Sequence, residues 1–139
     1  MKLPQLGCHK NELDTPVLCV DLDVMEANLR AMVASCREHG VGWRPHTKCH
    51  KSPVIAHKVI DAGAIGITCA KLGEAEVMAA GGVRDILIAN LIVGAQKVAR
   101  LVELRRIADP VICIDHIDQA RPISDAMAAA GLSLRVILE

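Results

Sequence analysis

Aromatic side chains are almost missing from the sequence, which has one Trp and no Phe or Tyr although 52% of its 139 residues are hydrophobic. A folded core must therefore be built from Ala, Val, Ile, Leu and Met, and their abundance excludes a disordered chain. The formal net charge at pH 7 is zero, because 16 basic residues balance 16 acidic ones. Binding nucleic acid through a basic surface requires clustered Lys and Arg, so we do not expect a nucleic-acid partner.

Long apolar segments are also lacking. Residues 1–5 have no apolar stretch of the secretory-signal type, and the longest uncharged apolar run, residues 86–95, is far shorter than the roughly 20 residues that a membrane helix requires. The sequence contains neither a Walker loop nor a Gly-x-Gly-x-x-Gly turn, which removes the usual nucleotide-binding motifs. We expect a soluble, cytoplasmic protein with no membrane partner.

The six cysteines are scattered along the chain. They show neither the close pairs of a zinc site nor the dense spacing of a secreted disulfide framework. Cys19, Cys69 and Cys113 lie inside apolar runs, where a free cysteine behaves as a small hydrophobic residue. We therefore expect reduced thiols, with these three in the core.

Short apolar runs alternate with helical patterns along most of the chain. Residues 17–20 are predicted to form a strand, and a helix follows from the capping signal of Asp23 and Glu26 to Gly40. Later strands are predicted at residues 43–48, 64–69, 85–89, 111–114 and 134–138, and helices at 53–62, 73–80, 95–107 and 119–130. Apolar strands that alternate regularly with helices indicate a parallel sheet covered by helices.

Two architectures fit this pattern: part of a (β/α)₈ barrel and a small open doubly wound sheet. A barrel typically takes about 250 residues, so here it would be incomplete. Incompleteness is favoured because the sequence stops inside a strand pattern at residues 134–139. We expect an α/β fold in which residues 1–40 are a lead-in strand and helix. Residues 41–139 would be the first βα units of a partial TIM-type barrel with about five parallel strands.

In both architectures functional residues collect at the carboxyl ends of the strands. A polar residue closes each predicted strand from residue 43 onwards: Lys48, Thr68, Asn90, Asp115 and Glu139. Most such positions are ordinary transitions from strand to loop. Thr68 and Asn90 are candidate cofactor contacts, together with Lys48.

The basic segment of residues 44–51 is the most unusual part of the sequence. If residues 43–48 are extended, Arg44, His46 and Lys48 share one face, and buried positive charges of this kind require anionic partners. A solvated basic turn is one interpretation. A metal site built from His46, Cys49 and His50 is another. The third is a cationic site for a phosphorylated or carboxylate ligand, in which Lys48 is an imine-forming nucleophile.

Several segments, in order, resemble one enzyme family: residues 13–17, 21–28, 44–52, 66–71, 74–76 and 85–90. The family is that of D-threonine aldolase and D-serine dehydratase, which are fold-type III pyridoxal phosphate (PLP) enzymes related to the alanine racemase N-terminal barrel. The element His46-x-Lys48-x-His50-Lys51 is the specific part of the resemblance. The resemblance extends from about residue 12 to the last residue.

The resemblance implies that Lys48 holds PLP as a Schiff base at the end of the first barrel strand. From their positions in the sequence, we expect Arg44 and His46 to supply positive potential around the cofactor and His50 to orient the lysine loop. Members of the family also have a C-terminal β domain that bears a divalent metal site for Mn, Mg or Zn. That domain is absent from this chain, so the metal is expected on residues outside it.

The function implied by the resemblance is that of a PLP-dependent lyase that cleaves a D-β-hydroxy amino acid, such as D-threonine or D-3-hydroxyaspartate, by a retro-aldol reaction. Its partner would be a small-molecule D-amino acid, and the full-length enzyme would be a homodimer. The 139 residues alone are expected to be inactive. The alternatives are a D-serine dehydratase, a non-catalytic PLP-homeostasis protein and a non-catalytic α/β interaction domain.

Overall fold

A computed structural model describes residues 6–139. The prediction that residues 1–5 carry no secretory signal, and the first residues of the predicted lead-in, therefore lie outside the described residues. Four parallel strands lie side by side in chain order: β1 (Ile67–Cys69), β2 (Asp85–Leu91), β3 (Asp109–Ile114) and β4 (Arg135–Leu138). A doubly wound sheet would reverse its strand order at a switch point. The unbroken order here is that of a barrel segment, and the predicted α/β class is confirmed.

Within residues 6–139, five α-helices accompany the strands: α1 (Leu22–Glu38), α2 (Pro53–Ala62), α3 (Leu72–Ala80), α4 (Ala95–Ile107) and α5 (Ile117–Ala129). Helix α2 follows the predicted local signals, because the Ser52 hydroxyl accepts from the Ile55 N–H at 3.4 Å, Pro53 opens the helix and Gly63 ends it at a φ of 123°. Within the part of the chain that the structure describes, no helix is long and apolar enough to cross a membrane.

The core lies between the sheet and helices α2 to α5. Ile67, Ile86 and Ile88 are fully buried there and pack with aliphatic residues of the helices, such as Leu101 and Met78. This aliphatic core confirms the composition argument. Strand register places Thr68, Leu87 and Val111 side by side on the opposite face, which is the inner face of the barrel segment.

The predicted strand at residues 17–20 is wrong. These residues pair with no other strand, and Val17, Leu18 and Val20 are exposed. Helix α1 begins two residues earlier than predicted, because Asp21 is its cap and accepts from the Val24 N–H at 3.0 Å. The thiol of Cys19 is exposed as well, which corrects its predicted place in the core.

The other two cysteines predicted in the core are in place, since Cys69 and Cys113 are buried. Burial raises the pKa of both thiols. All six cysteines are free.

The predicted strand at residues 43–48 is reduced to a short paired segment, so four strands stand where about five were expected. The Ile65 N–H donates to the Trp43 carbonyl at 2.9 Å, the Thr68 N–H donates to the Pro45 carbonyl at 2.8 Å, and His46 forms an isolated parallel bridge with Thr68. The chain then turns into a 3-10 helix, Thr47–Cys49. Lys48 therefore does not continue the strand face of Arg44 and His46.

Five alternating charges form an ion network at the amino end of the sheet, which we call the N-terminal ion network. Its ion pairs are Arg44 Nη1 to Asp85 Oδ1 at 2.6 Å, Arg135 Nη2 to Asp85 Oδ2 at 3.2 Å, Arg135 Nη2 to Asp109 Oδ2 at 2.9 Å, and Arg105 Nη2 to Asp109 Oδ1 at 3.5 Å. Asp85, Asp109 and Arg135 are the first residues of the adjacent strands β2, β3 and β4. The network therefore ties the strand starts together across the inner face.

Acid should weaken this network. Partial burial raises the pKa of Asp85, but hydrogen bonds and charges from Arg44 and Arg135 outweigh burial and hold the pKa below its ordinary value. A carboxyl whose pKa is lowered by folding stabilises the protein while it is ionised, and this contribution is lost as the pH falls through its folded pKa. We expect the free energy of unfolding to drop below about pH 4.

Urea unfolding between pH 3 and pH 7 tests this expectation. Asp85→Asn should be less stable than the wild type at pH 7, and the two curves should converge at low pH. Asp125→Asn, which removes an exposed carboxylate on α5, should run parallel to the wild type throughout. If the difference in the free energy of unfolding between Asp85→Asn and the wild type stayed constant from pH 3 to pH 7, the stabilising role of the ionised carboxylate would be contradicted.

Candidate active site

Lys48 stands in a single 3-10 turn at the carboxyl end of the sheet. The preceding residue, Thr47, is 1% exposed, and its hydroxyl donates to the Thr68 carbonyl at 3.0 Å. The Thr47 carbonyl accepts from the N–H groups of His50 at 3.1 Å and Lys51 at 2.8 Å, which closes the turn. Thr47 is thus a buried anchor that presents the exposed Lys48 beyond the end of β1.

Two histidines flank Lys48, and both use Nδ1 as an acceptor. The Lys48 N–H donates to His46 Nδ1 at 3.2 Å, and the Ser52 N–H donates to His50 Nδ1 at 3.0 Å. Burial lowers the pKa of His50. A neutral imidazole that accepts at Nδ1 carries its proton on Nε2, so His50 is a neutral donor at pH 7.

Thr68 and Asn90 also lie at this end of the sheet, but they are engaged with the backbone. Thr68 is 8% exposed, and its hydroxyl donates to the Arg44 carbonyl at 3.4 Å. Asn90 is exposed; its Nδ2 donates to the Ala70 carbonyl at 3.1 Å, which joins the ends of β1 and β2. Asn90 is therefore exposed at the surface of the site, whereas Thr68 is buried beneath that surface.

Arg44 is not brought to Lys48. Its guanidinium belongs to the N-terminal ion network, where Nη1 also lies 3.4 Å from the Ile67 carbonyl. Its charge is neutralised by Asp85 at the amino end of the sheet. The expectation that three basic side chains share one face is wrong, because the turn at Thr47 separates Lys48 from Arg44 and His46.

The alternative metal site is not formed. Among residues 6–139, no three His, Cys, Asp or Glu side chains come together in a way that could hold a metal ion. Within the proposed set, the ring Nδ1 atoms of His46 and His50 are engaged with backbone N–H groups, and Cys49 Sγ lies 3.7 Å from the His46 carbonyl.

Sequence reasoning missed two residues of this region, Thr47 and Glu74. Glu74 Oε2 accepts from the Ala70 N–H at 2.9 Å, and its Oε1 lies 3.5 Å from Lys51 Nζ. The N–H of Ala70, followed by the charges of Lys51 and Lys71, holds the pKa of Glu74 below its usual value. A readable signal existed for Glu74, since Glu in the first turn of a helix often reaches back to a backbone N–H before it. Thr47 carried no comparable signal.

A hollow of about 240 Å³ opens beside the site, between α3, α4 and the end of β2. Asn90, Lys71 and Lys97 supply the polar part of its lining, together with Arg100. Arg100 is paired with Glu76 by a bidentate contact. The carboxyl end of the sheet thus combines an exposed primary amine, a neutral imidazole and a positively charged flank, which is a donor set suited to an anionic carbonyl compound.

Curated proteins that are similar to this chain include two aldolases. The chain is 44% identical to a D-threonine aldolase of an Arthrobacter species over 97% of its own length and 36% of that protein. It is 35% identical to a 3-hydroxy-D-aspartate aldolase of Paracoccus denitrificans over 96% of its own length and 35% of that protein. The chain therefore spans about a third of the length of these curated relatives.

Solved structures show the same relationship. The crystal structure of D-threonine aldolase from Filomicrobium marinum matches 90% of this chain and 34% of its own, with a TM-score of 0.87 and 43% identity. D-threo-3-hydroxyaspartate dehydratase from Delftia sp. HT23 matches 91% of this chain and 34% of its own, with a TM-score of 0.81 and 34% identity. These matches confirm the partial barrel and the resemblance to the aldolases. The model of the alanine racemase N-terminal domain matches residues 20–139, and the chain belongs to that family.

Proposed function

We propose that this chain is the cofactor-binding barrel portion of a PLP-dependent lyase that cleaves D-β-hydroxy amino acids, with D-threonine or D-3-hydroxyaspartate as substrate. The observation that carries the proposal is the presentation of Lys48: a buried Thr47 anchors the turn, and the lysine side chain extends from it at the carboxyl end of the sheet. The similarity to two enzymes named as aldolases supports the reaction type.

The residues of this end fit PLP in kind. Lys48 would hold the cofactor covalently, and His46, His50 and Asn90 would contact it. Thr68 would support the turn through its carbonyl, which accepts from the Thr47 hydroxyl. Arg44 stays at the amino end of the sheet and is not assigned to the cofactor. When bound, PLP stabilises the electron pair left at Cα when a bond to that carbon breaks.

The chain's own groups have separate tasks in this proposal. The Lys48 amine is the nucleophile that would attach the cofactor, and a lysine amine at this position could also act as a proton acceptor. His46 accepts the Lys48 N–H and so fixes the backbone from which the amine extends. Burial lowers the pKa of His50 and so favours its neutral form, which accepts from the Ser52 N–H at Nδ1.

Several finer properties rest on the family resemblance and are proposed with the function. They are a divalent metal, Mn, Mg or Zn, bound by residues outside this chain, a homodimeric full-length enzyme, a D-configured substrate and a cytoplasmic location. The metal would bind the β-hydroxyl of the substrate, which favours its ionisation.

The alternatives receive less support. A dehydratase would use the same lysine and differ in the bond that breaks, and the chain is 35% identical to a D-threo-3-hydroxyaspartate dehydratase of a Delftia species, below the 44% of the Arthrobacter aldolase. The relatives named above are enzymes by their names, which does not favour a PLP-homeostasis protein or a non-catalytic interaction domain.

The test uses the protein expressed from its complete coding sequence. It is incubated with PLP, reduced with borohydride and digested, and the adduct is expected on the peptide that contains Lys48. Lys58→Met, which removes a lysine paired with Glu26 at 2.7 Å on the outside of the sheet, should label as the wild type does. An adduct that persists in Lys48→Ala would refute the assignment.

The same preparation decides between the reactions. Retro-aldol cleavage of D-threonine yields glycine and an aldehyde, whereas dehydration of D-serine yields a keto acid and ammonia. We expect glycine and aldehyde in equal amounts from D-threonine or D-3-hydroxyaspartate. Ammonia as the main product would favour the dehydratase, and covalent PLP binding without turnover would favour the homeostasis protein.

A further inference from the structure

Glu74 connects three segments that meet at the carboxyl end of the sheet. One carboxylate oxygen accepts from the Ala70 N–H at 2.9 Å, directly after β1, and the other lies 3.5 Å from Lys51 Nζ at the end of the Lys48 turn. The carbonyl of Ala70 in turn accepts from Asn90 Nδ2 at 3.1 Å. The Glu74 carboxylate therefore joins the Lys48 turn to the end of β1, and Ala70 links this contact to the end of β2.

The two sides of this contact differ in exposure. The Glu74 side chain is 10% exposed, and the Lys51 side chain is 62% exposed. Glu74 is therefore held by α3 and by the backbone of β1, whereas Lys51 is free to move unless its ammonium group is attracted to this carboxylate. A partly desolvated carboxylate attracts a cation more strongly than one in bulk water does.

The backbone of Lys51 shows why such a tether matters. Lys51 has a φ of 51°, in the left-handed region that side-chain-bearing residues rarely adopt. The strain at this position is opposed by the hydrogen bond from its N–H to the Thr47 carbonyl at 2.8 Å. The same carbonyl closes the turn that carries Lys48, so a shift of Lys51 would be transmitted to the lysine three residues earlier.

We propose that Glu74 is a positioning residue that holds the Lys48 turn against the end of β1 through Lys51. This inference rests on the proposed function, in which the Lys48 amine attaches PLP. Thr47 anchors the turn from the inside and the Glu74–Lys51 pair closes it from the outside. Loss of the pair would leave the protein folded but the amine less well placed.

The experiment measures the rate and the equilibrium of covalent PLP attachment to the protein expressed from its complete coding sequence, followed by the imine absorbance and by borohydride trapping at Lys48. Glu74→Gln keeps an oxygen that accepts from the Ala70 N–H but loses the charge. We expect attachment to slow by up to about fivefold, the scale for an ion pair with one exposed partner, with an unchanged thermal midpoint. Lys51→Met, at an exposed side chain, should slow it to the same extent.

Three further variants separate positioning from a general effect on the structure. The double variant of Glu74→Gln and Lys51→Met should be no slower than either single one, because both remove the same contact. Lys51→Arg, which keeps the charge, should restore attachment to within about twofold of the wild type. Glu76→Gln removes a carboxylate on the same helix that pairs with Arg100 instead, and it should behave as the wild type.

The outcomes are distinct. Wild-type attachment at Lys48 together with unchanged rates in Glu74→Gln and Lys51→Met would overturn the positioning role and leave the proposed function standing. Equal slowing in Glu76→Gln, or additive slowing in the double variant, would also overturn it. A wild-type protein that attaches no PLP at Lys48 would overturn both the proposed function and the positioning role.

Discussion

Replacing Lys48 by Arg is expected to lower turnover of D-threonine or D-3-hydroxyaspartate by roughly a thousandfold or more in the protein expressed from its complete coding sequence. Arginine keeps the positive charge at the carboxyl end of the sheet, but its guanidinium stays protonated and is not a nucleophile at neutral pH. The loss would therefore be assigned to the amine and not to the charge. Steady-state kinetics at saturating PLP provide the measurement.

The variant should remain folded, because Lys48 is exposed and its turn is anchored by Thr47. We expect a thermal midpoint equal to that of the wild type and PLP that is removed by gel filtration. Lys58→Arg is the matched control at another lysine and should keep wild-type turnover. Turnover in Lys48→Arg within about tenfold of the wild type would show that Lys48 is not the nucleophile.

Gly66→Ala is expected to destabilise the protein by about 3 kcal/mol or more. Gly66 has a φ of 143°, a conformation that is essentially restricted to glycine, and an added Cβ would lie 2.7 Å from the Asp85 carbonyl oxygen. It would also collide with the Arg44 guanidinium. Backbone strain and steric overlap therefore act together, at the place where Arg44 and Asp85 pair.

Gly40→Ala is the matched control for this change. Gly40 also has a positive φ, of 64°, but an added Cβ would meet no heavy atom within 4 Å. Its cost should be about 1–2 kcal/mol, from the left-handed backbone alone. Urea unfolding of the two variants gives the difference directly. Equal destabilisation would show that the close approach of Gly66 to Asp85 is relieved by a small backbone movement.

Elements whose signals are local could be predicted well from the sequence. Helix α2 begins and ends where Ser52, Pro53 and Gly63 indicate, because a cap, an N1 proline and a terminal glycine act on their own turn. Helix α4 has its predicted bounds, and strands β2 to β4 lie within a few residues of theirs. Their apolar runs are long enough to be recognised, and each has a neighbouring strand to pair with.

The misplaced elements are those whose state depends on distant partners. Residues 17–20 have the composition of a strand, but a strand exists only when another segment supplies its hydrogen bonds, and within residues 6–139 none does. The segment of residues 43–48 differs from its prediction because it does have distant partners. Its extended part does pair with β1, but the Thr47 hydroxyl bonds to Thr68, a residue 21 positions away, and the chain turns there.

The residues of the candidate site also divide into those with a local signal and those that depend on distant partners. The basic motif around Lys48 indicates the turn on which the proposed site rests, because its unusual residue types are visible without any fold. The partner of Arg44 was not visible, since Asp85 is 41 positions further along the chain. The same holds for Glu74, which reaches back to Lys51 only once α3 has packed beside the Lys48 turn.

The separation of the N-terminal ion network from the Lys48 turn has a consequence for how such proteins diverge. The network's ion pairs join its own five side chains at the amino end of the sheet, while the lysine, its histidines and Asn90 lie at the other end. Selection can therefore alter the loops around the lysine without drawing on the contacts that hold the strand starts together.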